Sequence, residues 1–311
     1  MHHPRNRIAL SGGRSTRVRR NAIAGPASLI YHPLYDLAAP VQDPASAALG
    51  PRTFVLLGGL DAADTSSDEV SVAGLHGSGV KATLPNAQHD AQAAALGGQV
   101  YVFGGGQFTQ YDHILAFDPA TGAVTTTGAL PSPASDVAVT GDGSTGYVVG
   151  GFDGVNWLNT VLAYSPGGSV RVVAHLPVAL RYAATAIVGG DVIIAGGSTE
   201  TGVSNDIYKV DPATGAVTTV GHLPAGLTHA GAGVLDGTMY LVGGRGDLVT
   251  DRTARVLAID PTTGMVTPAG TLPQPLSDAA IVTLPGELIV AGGATAAGTQ
   301  AAVGELAPAG T

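Results

Sequence analysis

The chain has 311 residues, of which 45% are hydrophobic and only 12% charged, and its net charge is −9. This length and apolar content allow a sizeable core, and 46 Gly with 20 Pro fit many short strands joined by tight turns. The absence of cysteine excludes disulfides, thiolate metal sites and cysteine nucleophiles.

The charge is unevenly spread. Arg5, Arg7, Arg14, Arg17, Arg19 and Arg20 hold six of the 14 basic groups, leaving eight against 23 acidic ones, a net of −15 for the rest. Such a body repels phosphate backbones, so no nucleic-acid partner is expected. Residues 1–25 are polar, Arg-rich and aperiodic, and read as a basic, disordered tail ahead of a single domain over 26–311. The run Ala22-Ile23-Ala24-Gly25 after Arg19-Arg20 is too short, and broken by Pro26, to make a clear signal peptide. No apolar run approaches the ~18 residues of a spanning helix.

One apolar segment then recurs. Its clearest form is Val100-Tyr101-Val102-Phe103-Gly104-Gly105. The other copies end in Gly58-Gly59, Gly150-Gly151, Gly196-Gly197, Gly243-Gly244 and Gly292-Gly293, at spacings of 46, 46, 46, 47 and 49 residues. A second marker keeps step with it: Leu84-Pro85, Leu130-Pro131, Leu176-Pro177, Leu223-Pro224 and Leu272-Pro273, with Ala39-Pro40 in the first unit. A period in this range predicts blades or arrays.

Each unit reads as four strands. A small-residue strand such as Ala91–Leu96 follows Leu-Pro, and a glycine turn such as Gly97-Gly98 reverses the chain. The apolar strand follows and ends in Gly-Gly. A longer loop leads to a third strand, for example Ile114–Asp118. The turn Asp118-Pro119-Ala120-Thr121-Gly122, repeated at Asp211–Gly215 and Asp260–Gly264, introduces the fourth. Alanine in the first strand fits six strands converging on a narrow axis. The last unit lacks a fourth strand, while Pro33–Leu37 has no unit of its own. Joining the two closes a ring, with Pro33 tolerated on an outermost edge.

The Gly-Gly segments with the Leu-Pro and Asp-Pro-x-Thr-Gly markers, over roughly residues 30–308, resemble Kelch-repeat β-propellers. The resemblance implies an all-β, six-bladed propeller of four-stranded blades. The family's usual outer-strand Trp is replaced by Val124, Val170, Val217 and Val266. Low Lys and the Ala/Gly bias look like the bacterial type.

In this topology the loop before the first strand and the loop after Gly-Gly share a rim. Five residues past each Leu-Pro proline stand Asp90, Asp136, Tyr182, His229 and Asp278, with Ala45 in the first unit. His89, Ser135, Arg181, Thr228 and Ser277 precede them. Where repeats otherwise agree, Arg181, Tyr182 and His229 break the pattern, so they are candidate ligand-binding residues. Asp90, Asp136 and Asp278 fit the same ring, or cap backbone N–H groups at strand starts. The Gly-Gly loops add Phe108, Tyr111, Phe152, Trp157, Glu200 and Arg245, residue types that favour recognition surfaces.

Two functions follow as expectations. The first is a non-catalytic, monomeric recognition module that binds a protein or carbohydrate on the rim. The second rests on resemblance to six-bladed bacterial Kelch enzymes acting on sialic acid. It is a sugar mutarotase or epimerase using Arg181, His229, Asp136 and Glu200 as acid/base groups. No His-Glu-x-x-His pair, nucleophile elbow or phosphate loop is present, and neither metal nor cofactor is expected. Arg245-Gly246-Asp247 spells an adhesive tripeptide, which chance readily produces.

Overall fold

A computed structural model describes Met1 and residues 26–310. The basic tail expected over 1–25 lies outside the described residues apart from Met1. The six Gly-Gly segments each supply the second strand of a four-stranded antiparallel sheet. In blade 2 the strands are Gln92–Leu96, Gln99–Phe103, His113–Phe117 and Val124–Ala129. The innermost strands of all six blades, in order, are Ala45–Gly50, Gln92–Leu96, Ala138–Gly141, Ala184–Val188, Gly231–Leu235 and Ala280–Leu284. In blade 1 the outermost strand, Gly77–Gln88, runs on through Leu84-Pro85, which an edge position permits.

The second strands are buried on both faces, so their apolar runs are continuous rather than alternating. Successive residues serve opposite interfaces: Val100 and Val102 pack toward blade 1, Tyr101 and Phe103 toward blade 3. The core is therefore divided among the six interfaces between neighbouring blades. The inner strands enclose a channel of about 390 Å³, lined by Ala47, Ala93, Ala95, Ala184, Ala186 and Gly233 among others.

The Gly-Gly pairs join blades. The amide of each second glycine donates to a carbonyl on the segment leading into the next blade: Gly59 to Gln88, the last residue of the outermost strand of blade 1, at 2.9 Å, then Gly105 to Ala134, Gly151 to Leu180, Gly197 to Leu227, Gly244 to Leu276 and Gly293 to Val41, each at 2.8 Å. Each first glycine lies so close to the same carbonyl that a Cβ would collide with it, and its φ is positive in all six cases.

Blade 6 is completed from the other end of the chain. Leu29–Asp36 pairs antiparallel with Ala302–Pro308, with Tyr35 opposite Val303 and Pro33 opposite Gly304. The expected strand near Pro33–Leu37 is longer and starts earlier. Its first residue, Leu29, is buried against blade 5 residues, which the sequence pattern did not show.

Candidate functional site

Six residues, one per blade, occupy the turn just before the innermost strand. They are Asp43, Asp90, Asp136, Tyr182, His229 and Asp278, and all have φ between 51° and 62°. Asp43 corrects the first unit: the sequence register puts Ala45 there, but that loop is two residues shorter. The residues form a ring. The amide of Asp136 donates to the Asp90 carbonyl at 2.9 Å, Tyr182 to Asp136 at 3.0 Å and His229 to Tyr182 at 3.2 Å. Asp278 donates to His229 at 3.1 Å and Asp43 to Asp278 at 2.9 Å. The recurring aspartate is thus explained by its tolerance of left-handed backbone rather than by capping, since no backbone amide donates to these four carboxylates among the described residues. Tyr182 and His229 adopt the same backbone at greater steric cost.

The preceding residue in each blade pairs with the residue after Gly-Gly: Gln42 with Leu60, His89 with Gly106, Ser135 with Phe152, Arg181 with Ser198, Thr228 with Arg245 and Ser277 with Ala294. The two loop sets share one rim, as the topology predicts.

The side chains of the ring are tied to one another. Arg181 pairs with Asp136, which is only 2% exposed. Its guanidinium lies 4.8 Å from the ring centres of both Phe152 and Trp157 and 5.4 Å from that of Tyr182. Tyr182 stacks on His229 with centroids 3.8 Å apart, and its hydroxyl donates to Asp90 at 3.2 Å. Arg245 Nη2 lies 3.2 Å from His229 Nε2. A guanidinium can only donate, so Nε2 accepts and the proton sits on Nδ1, 3.0 Å from Thr228 Oγ1. Burial, then Arg245, Arg181 and Arg252, push the His229 pKa down to about 3, so the imidazole is neutral.

Asp43 and Asp278 are close enough for their charges to interact, and so are Asp90 and Asp136. Burial first, and neighbouring carboxylates second, raise Asp43 and Asp90 well above the usual carboxylate range. Ser277 donates to Asp278 at 2.5 Å and accepts from Arg252 Nε at 2.9 Å. His89, its pKa lowered by burial, bridges Ser66 at 2.9 Å and Asp90 at 3.5 Å.

Three candidates fall outside this network, among them Phe108, whose side chain is exposed. Glu200 is exposed at the tip of the hairpin Ser198–Thr199 and Gly202–Val203, away from the acid/base group proposed for it. Tyr111 donates its hydroxyl to the Ala87 carbonyl at 3.3 Å and packs on His113, so it braces a loop. Arg245 Nη1 donates to the carbonyls of Gly246 and Asp247, which folds the Arg245-Gly246-Asp247 tripeptide onto itself. Sequence reading missed Asp43 and Arg252. Asp43 was hidden by the shortened first loop, and Arg252 by its position beyond the Gly-Gly loop tip.

No family model matches the chain. Kelch-like protein 35 of Mus musculus is 33% identical over 138 residues, which is 43% of this chain and 23% of that protein. The matched region therefore spans about a quarter of that relative's length. A solved structure of YjhT superposes with a TM-score of 0.75 over 88% of this chain and 95% of that one, at 16% identity, and so shares the fold. The chain is a six-bladed β-propeller whose repeats are similar to Kelch repeats. In this propeller the repeat markers do structural work at blade junctions, while the residues that vary between repeats gather on the ring. Among the described residues, no helix is long and apolar enough to cross a membrane.

Proposed function

We propose that this propeller is a non-catalytic recognition module that docks a protein partner on the face carrying the Gly-Gly loops. One observation carries the reading. The titratable groups of the ring are engaged with one another, while large apolar side chains on the surrounding loops are left facing solvent. Phe108 is 92% exposed, Val155 82%, Leu248 60% and Val249 57%. Such residues grouped on one face favour a macromolecular contact. Trp157 is covered by the Arg181 guanidinium, so it is not a free platform for stacking a sugar ring. Protein is therefore favoured over carbohydrate.

The test places a photo-crosslinking amino acid at Val155, with Val172 on the outer edge of blade 3 as control. The expected result is one saturable protein adduct at 155, absent at 172 and lost with Phe108→Ser. Equal labelling at both positions overturns the reading. NMR of anomer exchange with free sialic acid is expected to show no acceleration. Acceleration that disappears in His229→Ala would replace the module with a mutarotase.

A further inference from the structure

Residues 26–29 enter the propeller at the junction of blades 5 and 6, on the face opposite the Gly-Gly loops. Ala27 packs against the core shared by those blades, and its carbonyl accepts from the Tyr240 hydroxyl at 3.2 Å. The Ser28 carbonyl accepts from the Ala309 amide at 2.9 Å. A groove of about 380 Å³ opens beside this entry, lined by Val234, Leu235, Thr283, Leu284, Pro285 and Pro308 among others. The Val234 amide donates to Thr283 Oγ1 at 3.0 Å and ties the two inner strands together there. Val234 and Thr283 also line the central channel, so the groove is continuous with the channel mouth on this face.

The same face is acidic where the chain enters. On the other blades cations stand near the carboxylates. Lys209 lies 3.6 Å from Asp191 and also acts on Asp211, Arg171 acts with Asp142 on Tyr147, and Arg52 acts on Glu287. The Lys81 side chain lies against Gly122, in the turn that carries Asp118. Blade 5 differs: Asp236 and Asp260, in its two turns on this face, have no ion pair among the described residues. Asp236 acts on Tyr240, the residue that holds the Ala27 carbonyl, so it lies close to the entry. Residues 1–25 carry six arginines and no acidic residue, and those just ahead of the entry read Arg19-Arg20-Asn21-Ala22-Ile23-Ala24-Gly25.

We propose that residues 19–25 dock back on this face of their own chain, with Ile23 filling the groove between blades 5 and 6 and Arg19 and Arg20 pairing with Asp236 and Asp260. Five residues separate Ile23 from Ser28, a reach of up to about 17 Å. The groove begins next to Ser28, because its lining residue Pro308 pairs with Leu29. Exposed ion pairs contribute little, so Ile23 is the anchor and the arginines set the direction of the segment. Once docked, the segment covers the blade 5 and 6 side of this channel mouth.

Trypsin cleavage of the native full chain after Arg7 and after Arg20, read by mass spectrometry, tests the docking. Ile23→Ser is expected to speed cleavage after Arg20 about tenfold and to leave Arg7 unchanged. Asp236→Asn with Asp260→Asn, which leaves the cleavage sites intact, is expected to speed it about threefold. A photo-crosslinking amino acid at position 23 is expected to label residues 234–236 or 283–286 of the same chain. Rates after Arg20 that neither variant changes, or crosslinks that miss the groove, overturn the proposal. Crosslinks that join two chains also overturn it and give the groove to a second copy.

Discussion

Gly293 donates its amide to the Val41 carbonyl at 2.8 Å, and this bond joins the last blade to the first. It is the sixth copy of the contact that joins every other neighbouring pair. The ring is thus latched twice, once here on the rim and once at the outer edge, where Leu29–Asp36 completes blade 6.

Gly292→Ala drives a methyl into the Val41 carbonyl oxygen at a φ of 65°. The expected cost is about 3 kcal/mol or more, because backbone must move as well as adopt a strained angle. Gly189→Ala has a similar φ of 64° but open space around its Cβ, so about 1 kcal/mol is expected. Urea midpoints of the two variants check the difference.

Leu29 is 3% exposed and packs between blades 5 and 6. Leu29→Ala should cost about 2–4 kcal/mol. Removing residues 26–36 should do more than destabilise, because it uncovers the edge of Ala302–Pro308. Size-exclusion chromatography should then show concentration-dependent association that the full chain does not show.

Arg181→Gln leaves the carboxylate of Asp136 buried without its cation. A loss of about 3–5 kcal/mol is expected, and adding Asp136→Asn should restore much of it. The chain has a single tryptophan, and Arg181 lies over it. Emission from Trp157 should therefore change in Arg181→Gln even under conditions where the variant remains folded.

The ring titrates with two opposite signs. His229 has a folded pKa of about 3 against an ordinary 6.5. Its contribution is complete above pH 6.5 and is lost as pH falls toward 3, because the unfolded chain takes up the proton first. His229→Gln should flatten that acid limb. Asp43 is raised, so its contribution is complete below its ordinary 3.8 and is lost as pH rises through its folded value. Asp43→Asn, which stays neutral, should therefore gain stability over wild type progressively as pH rises from 4. Urea midpoints across a pH series read both effects.

Much of the fold was legible because repetition amplifies a weak signal. One Gly-Gly is a common dipeptide, but six in step with Leu-Pro leave few architectures. The missing fourth strand after Ala302–Pro308 and the unassigned strand near Pro33 predicted the closure. The reach of that strand back to Leu29 did not show, since Leu29 is buried by blade 5, which lies more than 200 residues away in the chain. The candidate site was legible only as a register. The position before each inner strand marked Asp90, Asp136, Tyr182, His229 and Asp278, but a two-residue shortening concealed Asp43.

The sequence by itself determined the strands, their turns and the number of blades, because these follow from side-chain period and glycine backbone freedom within each unit. Only the tertiary structure decided which polar groups meet. Closing the ring brings residues one or more repeats apart onto a single circle, so Tyr182 reaches Asp90, Arg181 reaches Asp136, and the Asp43 amide reaches the Asp278 carbonyl. Those pairings set charge and protonation, and they depend on burial and distance that no local stretch of chain encodes.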